Sequence, residues 1–382
     1  MSMLLVPGRR VATATLSTDV GGVDPRFNAA IGAQFDFSRT DRFFQENVGP
    51  TLVASDGDLI GLALEQAQWG GKTLAGELAS LSELRGNGAT ALVGSATAAS
   101  YNTSTGAGSV SRGADINNQS YVAWTGLVGN GLYAISVTNG SVATFIRSGT
   151  FSGTTQVALT AGQSGTFYVQ ASVGGQITFT ASANSATSTF TVTSIKYLPG
   201  SQASQANSSY RAKKYAGWAR FDGVDDNEPN GKKLGAAGLV LKRVKLIATT
   251  AATQVMMGVV GAGGTDRFYD AFDTSGQLTG RIGSGAAMTI TGDLTGTDIV
   301  VGLGFDGTTA TLLTVTSAGV MTKQTQSQSG APNTSLAPNL GGYNNNGTYG
   351  SPANFDLREL AWFDAMPTDA EIASYARWMF QQ

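Results

Sequence analysis

The sequence predicts a mainly β protein made of antiparallel β-sandwich (jelly-roll) domains, closed by one short C-terminal helix. Three observations predict it. Glycine supplies 51 of 382 residues, a stock of turn formers that suits many short strands. Apolar residues alternate at period two through the middle and the last third of the chain, as in strands with one buried face. A sustained helical pattern occurs only in "PTDAEIASYARWMFQQ", where Ile372, Tyr375, Ala376 and Met379 fall at i, i+3, i+4 and i+7.

Taken in order, residues 1–84 hold most of the early charge and read as a mixed module of short elements. Its first part, "MSMLLVPGRRVATATLSTDVGG", has a few apolar residues before Pro7 and its charges after them, which predicts a mature N-terminus rather than a signal peptide. Further on, Thr40 and Asp41 predict a cap for a helical turn through Phe43 and Phe44. Gly49-Pro50 and Asp56-Gly57 mark turns.

Composition then shifts. From Gly86 to Gly200 the charged residues are Arg112, Asp115, Arg147 and Lys196 alone, which sets a boundary near Arg85 and a second module over 85–200. Within it Tyr133, Ile135 and Val137 lead to Asn139-Gly140, a two-residue hairpin signal, and Val142 begins the return. Phe167, Val169, Ala171 and Val173 lead to Gly174-Gly175, then Ile177, Phe179 and Ala181. Phe190 and Val192 continue the alternation, but Ile195 and Tyr197 are out of phase by one residue, which predicts a β-bulge. These patterns make a sandwich rather than a disordered linker.

The string "SQASQANSSY" reads as a linker, and 201–382 as a second β module. There Asp306-Gly307 between two apolar runs predicts a hairpin. Thr368 and Glu371 have capping-box spacing at the start of the terminal helix.

Composition also narrows the chemistry. The chain has no histidine and no cysteine, which removes imidazole bases, thiol nucleophiles, disulfides and Cys/His zinc sites. A net charge of −2 gives no field to draw nucleic acid or an anionic membrane. No run approaches the ~18 apolar residues of a membrane span. Hydroxyl-rich or protein partners fit better.

Several motifs could carry chemistry. Gly-Gly-Lys-Thr at 70–73 ends like a phosphate loop, but the required first glycine is replaced by Gln66. The paired-carboxylate string of a retaining glycosidase on such a sandwich is absent. A basic stretch from Arg211 through Lys213, Lys214, Arg220, Lys232, Lys233, Lys242, Arg243 and Lys245 reads first as a solvated strand edge, with an anionic glycan or protein contact as the alternative. "GGYNNNGTYG" offers Tyr343, Asn344, Asn345, Asn346 and Tyr349, rings and amides that suit sugar recognition and equally suit a turn-rich loop. "WARFDGVDD" packs Asp222, Asp225 and Asp226 into five positions. Glycine directly after the first aspartate breaks the EF-hand pattern, so the stretch reads first as a turn; Asp225 and Asp226 keep a claim on calcium through another geometry.

"RFDGVDD", "LGFDGTTATLLTV" and "FDLRELAWFDAMPTDAEIASYARWM" together resemble the opening strand, central hairpin and closing signature of laminin-G-like, concanavalin-like sandwich domains, over about 215–382. "FDFSRTDRFFQENVGPTLVASDGDLIGLALEQ" and "YVQASVGGQITFTASANSATSTFTVTSIKYL" are similar to segments of modular virion proteins of tailed bacteriophages, the second to their carbohydrate-module-like domain. Those proteins usually open the first segment with Trp-Tyr-Asp-Pro where this chain has Phe35-Asp36-Phe37-Ser38. The resemblance implies a virion fibre, spike or capsid-decoration protein, commonly oligomeric, with a trimer among the options. It implies other virion proteins and a host-surface glycan as partners, assembly in the bacterial cytoplasm, and no enzymatic activity. Residues 1 to about 34 are then the expected attachment arm, with carbohydrate-binding receptor recognition and polysaccharide degradation as the alternative functions.

Overall fold

The computed structural model describes residues 4–6, 9–11, 31–49, 51–64, 73–94, 98–115, 117–200, 202–205, 208–229, 231–346 and 348–381. Strands dominate, and the chain divides into two compact units: Met1–Asn47, Leu52–Lys72 and Gly200–Gln382 form one, while Val48–Thr51 and Thr73–Pro199 form the other.

This division differs from the expected segments 1–84, 85–200 and 201–382. Strand Ile31–Asp36 pairs antiparallel with Asn354–Phe363, and Leu62–Leu64 pairs with both Phe43–Phe44 and Gln202–Ser204. Phe35, Phe37 and Phe43 lie in the C-terminal sandwich's own core. Residues 31–47 and 52–64 thus belong to the unit of that sandwich, while 48–51 and 73–84 belong to the other. Most of the expected attachment arm, 1–34, lies outside the described residues. Its final residues are in the sheet.

In the C-terminal unit one sheet runs Lys213–Tyr215, Trp218–Asp222, Asn354–Phe363, Gly238–Leu246, Asp298–Phe305, Thr309–Val315, Met321–Ser327. A second sheet runs Glu228–Pro229, Asn339–Leu340, Gln254–Val260, Arg267–Phe272, Leu278–Gly283, Met288–Ile290. Between them lies a core that includes Phe221, Val240, Met256, Phe268, Phe305 and Phe355. The first sheet is covered on its other face as well: Leu239, Leu241, Val300 and Leu313 pack with Ile372, Tyr375, Ala376 and Met379 of the terminal helix, Asp369–Met379. Burial on both faces explains why its strands read as nearly continuous apolar runs. The capping box forms as expected, with Thr368 accepting from the Glu371 amide and Glu371 accepting from the Thr368 amide.

The other unit is an antiparallel assembly of ten strands between Ala89 and Leu198, built around Trp124, Phe179, Phe190 and their neighbours. The predicted bulge is present: Ser136 faces Ser194 while Val137 faces Val192, which leaves Thr193 over. The hairpin at Asn139-Gly140 is not. Strand Leu132–Asn139 pairs with Ser164–Gln170 and Ala186–Leu198 instead of the following strand. Neither Asn139 nor Gly140 takes the positive φ that a type I′ turn needs. Asn139 is buried and satisfies the corner itself, donating to the carbonyls of Val142, Leu159 and Thr160 and accepting from the Thr144 hydroxyl.

Two short elements also depart from expectation. Thr40–Arg42 is a 3-10 turn, and Phe43–Phe44 is already strand. A second α-helix, Leu74–Ser80, stands where none was expected; Thr73 caps it by accepting from the Gly76 amide. At seven residues it is too short for its periodicity to stand out.

Candidate functional site

The loop expected to hold sugar is a hairpin, Tyr343–Asn345 and Thr348–Gly350, whose first strand joins the edge of Gln254–Val260 in parallel register, with Tyr343 beside Gly258. The hairpin divides its side chains between two tasks. The Tyr349 hydroxyl lies 2.7 Å from the carbonyl oxygen of Asp226 and 2.8 Å from that of Gly341, and Asn344 donates to the Ala337 carbonyl at 3.0 Å. Burial, then the nearby aspartates, push the Tyr349 phenol upward. These two residues hold the hairpin in place. Asn346 occupies the turn at φ 47°, an αL position that asparagine tolerates.

Tyr343 and Asn345 have the other role. With Thr253, Val255, Val260, Arg267, Tyr269 and Ser351 they line a groove of about 290 Å³ on the second sheet, near the low end of the ~300–1,000 Å³ usual for small-molecule sites. Alternation places them there. In "RFYDAF" Phe268, Asp270 and Phe272 are fully buried, while Arg267 and Tyr269 are half-exposed. Gly258 shapes the floor: a Cβ there would lie 2.6 Å from Cβ of Tyr269 and 3.1 Å from Cβ of Tyr343. Glycine allows two tyrosine-bearing strands to flank the same point.

The polar groups of the groove are uncommitted. Among the described residues the side chains of Thr253, Tyr269, Tyr343, Asn345 and Ser351 make no hydrogen bond, and Arg267 has neither a hydrogen bond nor an ion pair. No Asp or Glu is in the lining. Sequence reasoning singled out Tyr343 and Asn345, which line this groove, but not Gly258, Arg267 and Tyr269 beside them. The signal for Arg267 and Tyr269 was the outward phase of "RFYDAF", legible once the inward phase is known; Gly258 had none.

The aspartates of the opening turn do converge. Asp222, Asp225 and Asp226 each present an oxygen within 4.8 Å of the others. Asp226 is 3% exposed, and its Oδ2 accepts from the Asp222 amide at 2.9 Å. Desolvation, aided by the charges of Asp222 and Asp225, raises its carboxyl to about 7. Three hard oxygens suit a divalent cation such as calcium, which would need further ligands from backbone or water. The turn itself is as expected: Gly223 has φ 77°, and Phe221 stacks on Phe355 with centroids 4.8 Å apart. Phe305, ahead of the second Asp-Gly, is likewise buried, and that hairpin forms.

The basic stretch is only partly a solvated edge. Arg220 pairs with Asp356 at 2.7 Å and Arg243 with Asp298 at 2.7 Å. Lys242 is fully buried and pairs with Asp270. It sits between Val240 and Val244 on the inward phase of its strand.

The other unit carries an open groove of about 770 Å³, lined by Ser100, Asn102, Thr103, Thr138, Thr189 and Thr191 among others, none of them charged. Among the described residues no helix is long and apolar enough to cross a membrane.

No family model and no curated protein matches the chain. Similar solved structures include the NanB sialidase from Streptococcus pneumoniae, at 17% identity and TM-score 0.30 over 37% of this chain and 24% of that one. The Ruminococcus gnavus IT-sialidase CBM40 bound to α2,3 sialyllactose shares 15% identity at TM-score 0.31, over 37% of this chain and 82% of that one. Trypanosoma rangeli sialidase in complex with sialic acid shares 14% identity at TM-score 0.34, over 47% of this chain and 30% of that one. The chain thus spans under a third of either sialidase. The expectation of a chain without enzymatic activity is corrected, since sialidases stand among these structures; likeness of this degree assigns no activity or ligand here.

Proposed function

We propose that this protein binds carbohydrate through the groove on the second sheet of its C-terminal sandwich, as a component of a tailed-bacteriophage virion that meets the host surface. One observation carries the carbohydrate reading: an open groove in which the side chains of two tyrosines, an asparagine, a threonine and a serine make no hydrogen bond within the protein. Tyrosine rings stack on sugar faces, and amides and hydroxyls bond to sugar hydroxyls. The first sheet's outer face is occupied by the terminal helix, whereas this one is open. Support for the virion setting comes from the sequence resemblances of residues 35–66, 168–198 and 215–382.

A glycan array probed with the whole chain tests the binding. Hits that Tyr269→Ala and Tyr343→Ala each weaken at least tenfold are expected; no binder at millimolar sugar would defeat the reading. The same glycans assayed for new reducing ends report hydrolysis. The virion setting is tested by deleting residues 1–30, which spares strand Ile31–Asp36. Loss of the protein from particles is expected, and undiminished incorporation refutes an attachment arm.

A further inference from the structure

The carbohydrate reading leaves the ligand class open, and Arg267 narrows it. Arg267 is half-buried, and half-buried arginines in this chain otherwise give their planar donors to protein partners. Among the described residues every other partly or fully buried arginine is bonded. Arg39, Arg220 and Arg243 pair with carboxylates. Arg85, Arg112, Arg147, Arg211, Arg281 and Arg358 donate to backbone carbonyls, and Arg42 also has a partner. Only Arg267 has none, and it is the one that lines the groove.

The neighbouring carboxylate is committed elsewhere. Asp266 accepts the Gly261 amide at 3.0 Å through Oδ1 and the Asn333 side-chain amide at 2.7 Å through Oδ2. Both oxygens hold its own loop. With no acid in the lining and Arg281 opposite Tyr269 in the ladder, the local field favours an anion. A planar guanidinium matches a carboxylate in two parallel hydrogen bonds, a geometry that lysine does not reproduce.

Resting on the carbohydrate reading above, we propose that the groove selects an acidic saccharide: a sugar carboxylate pairs with Arg267 while the ring lies against Tyr269 or Tyr343 and its hydroxyls meet Asn345, Thr253 and Ser351. The groove's volume limits the recognised unit to about one sugar ring. The rest of a host polysaccharide would run out over the open face.

The test uses the whole chain and four probes: methyl β-D-glucuronide, a methyl α-sialoside, methyl β-D-glucoside and glucose 6-sulfate, titrated by calorimetry and saturation-transfer NMR. At least one carboxylated probe is expected to bind tenfold or more tighter than the neutral glucoside, and to weaken at 0.5 M salt. Arg267→Met should bring its affinity down to the neutral level, with an unchanged melting temperature showing that the fold is intact; Arg267→Lys should restore only part. Tyr269→Ala and Tyr343→Ala should weaken every probe. If the neutral glucoside binds as well as the acids and Arg267→Met changes nothing, the acidic class is wrong while the carbohydrate reading stands. Tighter binding of the sulfate than of either carboxylate also overturns it. If no probe binds, or the tyrosine variants bind as the parent does, the groove reading falls and the acidic class falls with it.

Discussion

In the unit of Thr73–Pro199 the polar side chains buried within strands are amides and hydroxyls: Gln119, Ser120, Asn139, Thr144, Thr178, Thr180 and Ser188. In the unit that contains Gly200–Gln382 they include Asp36, Lys242, Asp270, Asp356 and Glu359. Ser120, Asn139, Thr178 and Ser188 among these bond to backbone carbonyls. Ser188 donates to the Ala143 carbonyl at 2.8 Å, and Asn139 serves a corner whose partners lie within 21 positions. In the second unit some contacts span the chain, with Gln34 meeting Glu359 at a separation of 325 positions and Arg220 meeting Asp356 at 136, while Lys242 and Asp270 are 28 apart. Charges are treated as polar groups in the span 86–200 too, where Lys196 donates to the carbonyls of Leu78 and Leu81, and Arg147 to that of Gly153. Asn139 closes a corner of its sandwich, whereas the buried Lys242 and Asp270 tie two sheets together.

The strongest way to break this contrast is in the core ion pair. Lys242→Ala leaves Asp270 buried and unpaired, and is expected to cost about 3–5 kcal/mol in denaturant unfolding, while Lys242→Met with Asp270→Leu stays near neutral or stabilises. A single change that costs under ~1 kcal/mol would mean that the ionic core has no special weight.

Asn139→Ala in the other unit should cost less, about 1–3 kcal/mol, by stranding carbonyls at its corner. A cost as large as that of Lys242→Ala would erase the distinction between the units.

The third test concerns pH. Desolvation raises Asp226 to about 7 and holds Glu359 well above the ordinary carboxylate range, the latter reinforced by Asp36. A carboxyl raised in the folded state binds more protons there than in the unfolded chain. Its stabilisation is therefore full at pH below about 4 and lost as pH rises towards 7 and beyond. Asp226→Asn keeps an acceptor for the Asp222 amide, so the melting temperature should rise by at least about 2 °C at pH 8 and stay unchanged at pH 4. Calcium at pH 8 should raise the parent's melting temperature and leave that of the variant where it was, if the three aspartates hold the ion.

The smallest expected effect is at the terminal helix. Thr368→Ala removes the capping box and should cost about 1 kcal/mol, read by the same unfolding titration.

Several features follow from local physics alone. The strand phases of Tyr133-Ile135-Val137 and Ile177-Phe179-Ala181, the bulge after Val192, the Asp306-Gly307 hairpin and the terminal helix with its cap depend on side-chain alternation, turn residues and capping chemistry within a few positions. A one-residue change of phase or a Thr-x-x-Glu string is therefore visible without any partner. Val173 shows where alternation overreaches. It continues the apolar phase of its strand yet is 81% exposed, because the chain has already turned.

Strand pairing, unit membership and the make-up of the groove were settled only in three dimensions. Nothing local tells Asn139-Gly140 that the next strand lies elsewhere, or assigns Phe35 and Phe37 to a core formed mostly after residue 200. Lys242 and Asp270 meet from different sheets. The groove joins Arg267 and Tyr269 of one strand to Tyr343 and Asn345 of a hairpin more than seventy residues on, across the gap that Gly258 keeps open. The sequence determined which residues could form strands and turns, since those preferences act between neighbours; the tertiary structure decided which of them face one another, since distant partners meet only after the sheets have closed.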